Sequence, residues 1–340
     1  MQSRERVHRA IHFEGPDRIP HCLPDGGEND ILWLWPPRLA PRQDWTNYGD
    51  QDRMIDEWGA LRYRAAGGRL GFGEVLQAPV PDIADQASYV FPNLNNPALF
   101  DEWRAALEAN ARLENPQYVL GVLSFHGLFE RCHSLVGLDQ LFIALYEQPE
   151  HVRALLDRLT EKRLECVRWY RELGCDGVMG YDDWGLQDRL MIGLPMIREF
   201  FLPHYRRTWA LAHELGMDNW LHTCGYTIEA LPEFAAAGLD VAQLDQQENM
   251  GLAELDAAVG GKLAFWCPVD IQRTMVTGSE EDIERYVQRM MQTLGNHRGG
   301  LISKTYPSPD DVHHEPAKIA AACAAFRKHG VYDEGAEEAP

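Results

Sequence analysis

The chain has 340 residues, 45% of them hydrophobic, and ten Trp. That composition makes it a packed globular protein with one large domain or two ordinary ones, and excludes a disordered chain. Its net charge of −20 comes with no basic stripe, which argues against nucleic acid and anionic membrane as partners.

Residues 3–13 carry apolar positions at helical spacing, with Val7, Ala10 and Ile11 on one side and Ser3 as N-cap, and Gly15-Pro16 ends that helix. Arg18 to Leu23 (RIPHCL) reads as a first short strand, and the Pro-, Gly- and Trp-rich stretch 24–50 as a long loop or lid. Residues 54–82 suggest a small hairpin outside the main core. After a helix at 97–113, apolar strands are expected at Tyr118–Ser124, Gly177–Tyr181, Asn219–Thr223, Val241–Leu244, Leu263–Trp266 and Gly300–Ser303. Helices are expected at 137–145, 149–173, 195–215, 227–237, 251–259, 279–295 and 315–329. This alternation calls for a mostly parallel sheet. With an eighth strand hidden in residues 70–95, it predicts an α/β fold: a single (β/α)8 TIM-type barrel over residues 1–332 with an irregular N-terminal loop and hairpin region. The open doubly wound alternative lacks its Gly-rich phosphate fingerprint. The acidic tail 333–340 (DEGAEEAP) is expected to be disordered. No run approaches the roughly 18–20 apolar residues that cross a bilayer. The N-terminus lacks the apolar core of a secretory signal. Seven scattered Cys fit free thiols in a reducing compartment, so a cytoplasmic protein is expected.

In a barrel, chemistry sits at the C-terminal ends of the strands. Those ends supply His21 and Cys22 with Asp25, Phe125 and His126, Asp182, Asp183 and Trp184, His222 and Cys224, Asp245, Cys267 and Asp270, then Lys304 and Tyr306. In Asn219–Gly225 (NWLHTCG), His222 and Cys224 point to one face because strand side chains alternate. An imidazole and a thiol converging there make half of a zinc site. Cys267, ending LAFWC, is the expected third ligand; the bland alternative is a pair of small core thiols and a hydrogen-bonded histidine. Of the adjacent Asp182 and Asp183 only one can face inward, as partner to a ligand or as general base, while the other caps a turn. His126, Trp184, Asp245 and Tyr306 are taken as substrate-binding candidates. Trp33 and Trp35 (LWLWPP) either close a planar ligand into the mouth or pack beneath the loop.

Four blocks in order, RERVHRAIHFEGPDRIP, YDDWGLQDRLMIGLPMIREFFLPHYRR, HTCGYTIEALPEFAAAGLD and GGKLAFWCPVDIQRTMVTGSEEDI, resemble the uroporphyrinogen decarboxylase superfamily, whose members are single (β/α)8 barrels. True uroporphyrinogen decarboxylases carry an RQAGRY segment near the first strand. Here that region reads HCLPDGGEND, with no arginine between Arg18 and Arg38, so a substrate with many carboxylates would be poorly held. The resemblance is closer to the cobalamin-dependent, coenzyme M-type methyltransferases, which bind zinc through a His-X-Cys pair and a later Cys. His222 and Cys224 match the pair. The later Cys falls near the last strand, where LISKTYPSPDD has none, so Cys267 or an oxygen ligand such as Tyr306 or Asp310 would have to replace it.

The resemblance therefore implies a zinc-dependent methyltransferase. It would move a methyl group between a corrinoid (methylcobalamin) on a separate partner protein and a small thiol or methylated small molecule, with His222 and an inward Asp182 or Asp183 in catalytic roles. The rivals are a decarboxylase or lyase using one of those aspartates as proton donor, and a non-catalytic barrel that binds a tetrapyrrole or a protein. Trp and Tyr residues between 33 and 63 leave room for a homodimer.

Overall fold

Eight parallel strands form the centre of the computed structural model, which describes residues 1–36, 44–68, 73–94, 96–123 and 127–332. They are β1 His21–Cys22, β2 Ile31–Leu34, β3 Tyr118–Val122, β4 Gly177–Tyr181, β5 Asp218–His222, β6 Val241–Gln243, β7 Ala264–Cys267 and β8 Leu301–Lys304. Their spatial order is β1-β8-β7-β6-β5-β4-β3-β2. The two ends of that row meet where the Asp30 amide donates to the His21 carbonyl at 2.8 Å, so the barrel is nearly closed.

Alternation along each strand sorts side chains into two layers. Leu120, Met179, Trp220, Trp266 and Ile302 fill the barrel. Val119, Val178, Leu221, Phe265 and Leu301 face the helices. Inside, Trp220 and Trp266 meet edge to face at 5.5 Å, the arrangement that aromatic quadrupoles favour.

The helices that concern the site are α1 Ser3–Ile11, α2 Asp101–Ala111, α3 Leu128–Val136, α4 Leu138–Glu147 and α5 Pro149–Leu173. The long α5 starts on Pro149, whose missing N–H costs nothing in a first turn, and stops at Gly174 with φ +99°. Helix α1 plugs the floor of the barrel, where Val7 and Ile11 join the interior cluster. Its Arg6 reaches Asp30 at 2.6 Å and Asp17 at 2.6 Å.

Three expectations change. The eighth strand is Ile31–Leu34, inside the stretch read as a lid, and not in residues 70–95. Its four apolar residues are flanked by turn formers, and only pairing with β3 makes them a strand. Four strands, Thr46–Asn47, Gln51–Ile55, Leu61–Ala65 and Glu74–Gln77, form an antiparallel sheet in place of a small hairpin. Helix α3 occupies a stretch that the sequence left unassigned. Ser124 of the expected third strand and the tail 333–340 lie outside the described residues. Among the described residues, no helix is long and apolar enough to cross a membrane.

Candidate metal centre

At the C-terminal end of β5 the alternation that puts Trp220 inside continues to His222 and Cys224. The same phase on β4 carries Met179, Tyr181 and then Asp183 inward. The result is a cluster of three potential ligands, Asp183, His222 and Cys224, whose donor atoms lie within 4.8 Å of one another. His222 Nε2 is 3.3 Å from Cys224 Sγ and 3.4 Å from Asp183 Oδ1. Zinc–nitrogen and zinc–oxygen bonds of about 2.0–2.1 Å and a zinc–sulfur bond of about 2.3 Å at tetrahedral angles demand ligand edges of about 3.3–3.6 Å. The two edges from His222 match zinc, the third pair lies within 4.8 Å, and a tetrahedral ion held by these three donors would leave a fourth corner for a substrate or water. The Cys224 amide donates to Asp183 Oδ1 at 3.0 Å, which pins the carboxylate to the histidine strand.

Glycine lets the two loops approach this closely. The Gly185 amide donates to the Cys224 carbonyl at 3.1 Å. A Cβ on Gly185 would sit 2.6 Å from the Cys224 carbonyl oxygen, and one on Gly225, itself at φ +74°, 2.3 Å from the Gly185 carbonyl oxygen. Larger residues at either position would push the ligand loops apart.

Behind His222 runs a polar chain that fixes its tautomer. Lys304 Nζ donates to Asp245 Oδ1 at 2.8 Å, and Gln243 Nε2 donates to the same oxygen at 3.0 Å. With its amide nitrogen committed, Gln243 presents Oε1 to His222 Nδ1. That nitrogen therefore carries the proton, and Nε2 offers its lone pair to the cluster. All three of these supporting side chains are buried. Burial, followed by the nearby Asp183 and Asp245 carboxylates, pushes the Cys224 thiol far above its ordinary value. A divalent cation is the charge that would reverse this.

A cavity of about 140 Å³ opens on the centre, lined by Tyr181, Asp183 and His222 together with Arg62, Glu130, Arg131 and Ser134. Trp33 packs 5.0 Å from Trp266, and Trp35 stacks 5.7 Å from Tyr181, so β2 and the residue that follows it give the mouth an aromatic wall. Tyr306 is half-buried beside the same group. Its hydroxyl is pushed up to about 12, first by burial and then by Asp245 and Cys224.

The other candidates lie elsewhere. Cys267 is one residue out of phase with the inward Trp266, so its thiol is fully buried in the layer under the helices and does not join the ligand set. Asp183 takes the place expected for it. Trp184 also points outward, stacked 4.6 Å from Phe129 and edge to face 5.0 Å from Phe201, and is a fully buried core residue. Asp182 is fully buried beneath α3, where it accepts from the Leu128 and Glu130 amides at 2.7 Å each and from the Tyr205 hydroxyl. Burial pushes its carboxyl up to about 7. It therefore positions α3 and is screened from reacting atoms. Gly127 makes room, since a Cβ there would lie 1.9 Å from Asp182 Cγ. His21 faces outward to Ser303 Oγ at 2.7 Å, Asp270 caps the turn through the Gln272, Arg273 and Thr274 amides, and Asp310 is exposed on a 3-10 turn. His126 lies outside the described residues. Sequence reasoning missed Gln243, although its spacing of two from Asp245 was the available signal. It also missed Arg62 and Arg131, for which no local signal existed.

Three comparisons bear on this geometry. The family model described as uroporphyrinogen decarboxylase (URO-D) matches residues 120–329, well over half of the chain. A curated uroporphyrinogen decarboxylase from Magnetococcus marinus is 24% identical over 194 residues, 55% of this chain and 51% of that protein. The chain thus spans about half the length of the curated relative it matches. Among solved structures, a methyltransferase from Methanosarcina mazei superposes with a TM-score of 0.66 at 13% identity, covering 96% of this chain and 99% of that one. This likeness establishes the shared barrel.

Proposed function

The chain belongs to the uroporphyrinogen decarboxylase family, and within it we propose a zinc-dependent methyltransferase that moves a methyl group between a corrinoid on a partner protein and a small thiol or methylated small molecule. The observation that carries this reading is the cluster of Asp183, His222 and Cys224, with both edges from His222 at tetrahedral length, beside a small cavity. The barrel shared with a methyltransferase supports it. When bound there, zinc would supply a Lewis acid that holds a small thiol as its thiolate near neutral pH.

The chain's own residues do the rest. His222, Cys224 and Asp183 would hold the metal, two of them as anions, so a divalent ion leaves the centre neutral. Gln243 keeps the imidazole in the ligating tautomer, and Lys304 balances the Asp245 carboxylate behind it. Asp183 and His222 line the cavity together with Tyr181, whose ring, backed by Trp35, would keep water from the reacting atoms. The test is zinc-loaded protein with methylcobalamin and a panel of small thiols, followed by loss of the methyl–cobalt absorbance. Activity that tracks zinc content and disappears in Cys224→Ser is expected. Equal activity in metal-free protein would overturn the reading.

Decarboxylation is the second reading, favoured by one observation. Burial raises the Asp183 carboxyl above its ordinary value, which suits a proton donor at the cavity. Carbon dioxide release that persists without metal and fails in Asp183→Asn would select it.

A further inference from the structure

We propose that a line of tyrosine and tryptophan rings forms a one-electron relay through the barrel, which restores an oxidised thiolate at the mouth with an electron drawn from the floor. The inference goes beyond methyl transfer and depends only on how the rings pack and where their protons can go.

The line starts at the ligand cluster. The Tyr181 ring lies 4.9 Å from the His222 ring, whose Nε2 is 3.3 Å from Cys224 Sγ. From Tyr181 the centroid steps are 5.7 Å to Trp35, 4.7 Å to Trp33, 5.0 Å to Trp266, 5.5 Å to Trp220 and 5.9 Å to Tyr118. Every step lies in the range of aromatic pairs in contact, about 4.5–7 Å, so an electron passes from ring to ring without a gap. Gly177 of β4 permits the last step, because a Cβ there would lie 2.3 Å from Tyr118 Oη and 2.9 Å from Trp220 Nε1.

The two ends differ in where a proton can go. Inside the barrel, Nε1 of Trp33 and of Trp266 has no hydrogen-bond partner among the described residues. An indole oxidised there keeps its proton and remains a cation, which a dry interior disfavours. Lys304 Nζ, 5.1 Å from the Trp266 centroid, opposes that cation further, offset by Asp245 at 2.8 Å. The electron vacancy therefore rests on neither tryptophan. Tyr118 is different: its hydroxyl donates to Asp218 Oδ2 at 2.8 Å, and Asp218 Oδ1 meets His12 Nε2 at 2.8 Å. Loss of an electron from Tyr118, with its phenolic proton passing to Asp218, leaves a neutral radical. His12, with its side chain 35% exposed, exchanges that proton with solvent.

At the mouth, an oxygen-derived one-electron oxidant leaves a thiyl radical on Cys224 or on a bound thiol, and the electron from Tyr118 returns it to the thiolate. At the floor, Tyr118, Asp218 and His12 border a crevice of about 570 Å³. A small reductant there, such as ascorbate, gives the electron back to Tyr118, and Asp218 gives back the proton.

The alternative is that the rings only fill the barrel, and the resting place of the vacancy separates the two. A ruthenium(II) polypyridyl photo-oxidant is tethered to the full chain carrying Asp188→Cys, a side chain 75% exposed in the loop that leaves β4, and its position is checked by peptide mapping. After a flash with an electron-accepting quencher, transient absorption and electron paramagnetic resonance should show a tyrosyl radical. Tyr118→Phe should lose that signal and show an indole radical cation in its place. Trp266→Phe, which breaks the line, should lose the tyrosyl signal too, while Trp169→Phe, beside Phe100 and off the line, should keep the wild-type yield. Asp218→Asn guards against a folding failure, since it keeps the shape of the carboxylate and removes the proton acceptor; the tryptophan radical should persist there and the tyrosyl radical not form. Under repeated flashes with ascorbate, mass spectrometry should find Cys224 oxidised faster in Trp266→Phe than in the wild type. A full tyrosyl yield in Tyr118→Phe or Trp266→Phe, no tyrosyl radical in the wild type, or equal rates of Cys224 oxidation overturns the inference.

Discussion

The two ends of the barrel both carry ionisable side chains and put them to opposite use. At the floor the charges close on each other. Asp30, fully buried, accepts from Arg6, Arg18 and the His21 amide, while Asp218 accepts from His12 and from the Tyr118 hydroxyl, each at 2.8 Å. Asp240 holds His213 at 2.7 Å and Asp176 holds Arg4 at 3.0 Å. At the mouth, Asp183, His222 and Cys224 converge on space, and Arg131 keeps unmade bonds. A floor residue spends its hydrogen-bonding capacity on the fold. A mouth residue holds part of it for a ligand.

The comparison can be broken from either end. The largest effect is expected at the floor. Asp30→Ala removes a fully buried carboxylate from Arg6 and Arg18 and leaves the buried Arg6 with Asp17 as its remaining close carboxylate, and breaking a buried pair costs about 3–5 kcal/mol. Chemical denaturation should show that loss with metal affinity unchanged, and a change in affinity of more than a few fold would mean the two ends are coupled. At the mouth, Cys224→Ser should weaken zinc binding by about 100-fold or more, since even groups that only support a ligand contribute 10–100-fold. The melting temperature of its metal-free form should stay within about 2 °C of wild type, as expected where no packing is lost.

Gln243→Leu, which removes the acceptor at His222 Nδ1, should cost about 10–100-fold in zinc affinity by competition with a chelating dye. A silent substitution there would show that the imidazole needs no orienting partner. The smallest effect is a pH dependence of stability. Hydrogen bonds to Asp218 and Asp240 raise His12 and His213 above the ordinary histidine value. With folded values above unfolded ones, their stabilisation is complete below about pH 6.5 and is lost as pH climbs through the raised folded values. Both pairs are partly exposed, so solvent reduces the gain. The melting-temperature difference between wild type and the His12→Gln/His213→Gln double variant should be greatest in mild acid and disappear in alkaline buffer, with no matching trend in metal affinity.

How much of this was legible depends on whether chemistry and strand phase coincide. In Asn219–Cys224 the two ligand-type residues, His222 and Cys224, share a phase with Trp220, so the inward face could be read directly. In LAFWC every residue is apolar enough for either layer, and nothing local says that Trp266 takes the inside and leaves Cys267 outside. The adjacent aspartates showed that only one could face in, but Asp182 was settled as a helix-positioning residue by Tyr205 and by the amides of α3, distant contacts that no spacing displays. The wall at Trp33 was hidden because β2 follows β1 through a loop where the repeating pattern has a helix. Arg62 and Arg131 come from a peripheral sheet and from an unassigned helix and meet only after folding.

The most direct test of the central claim, that Asp183 and not Cys267 completes the metal site, is X-ray absorption at the zinc edge of the reconstituted protein. A first shell with one sulfur at about 2.3 Å and the remaining nitrogen or oxygen neighbours at about 2.0–2.2 Å is expected, unchanged in Cys267→Ser. A second sulfur that vanishes in Cys267→Ser, or a protein that takes up no zinc, would contradict it.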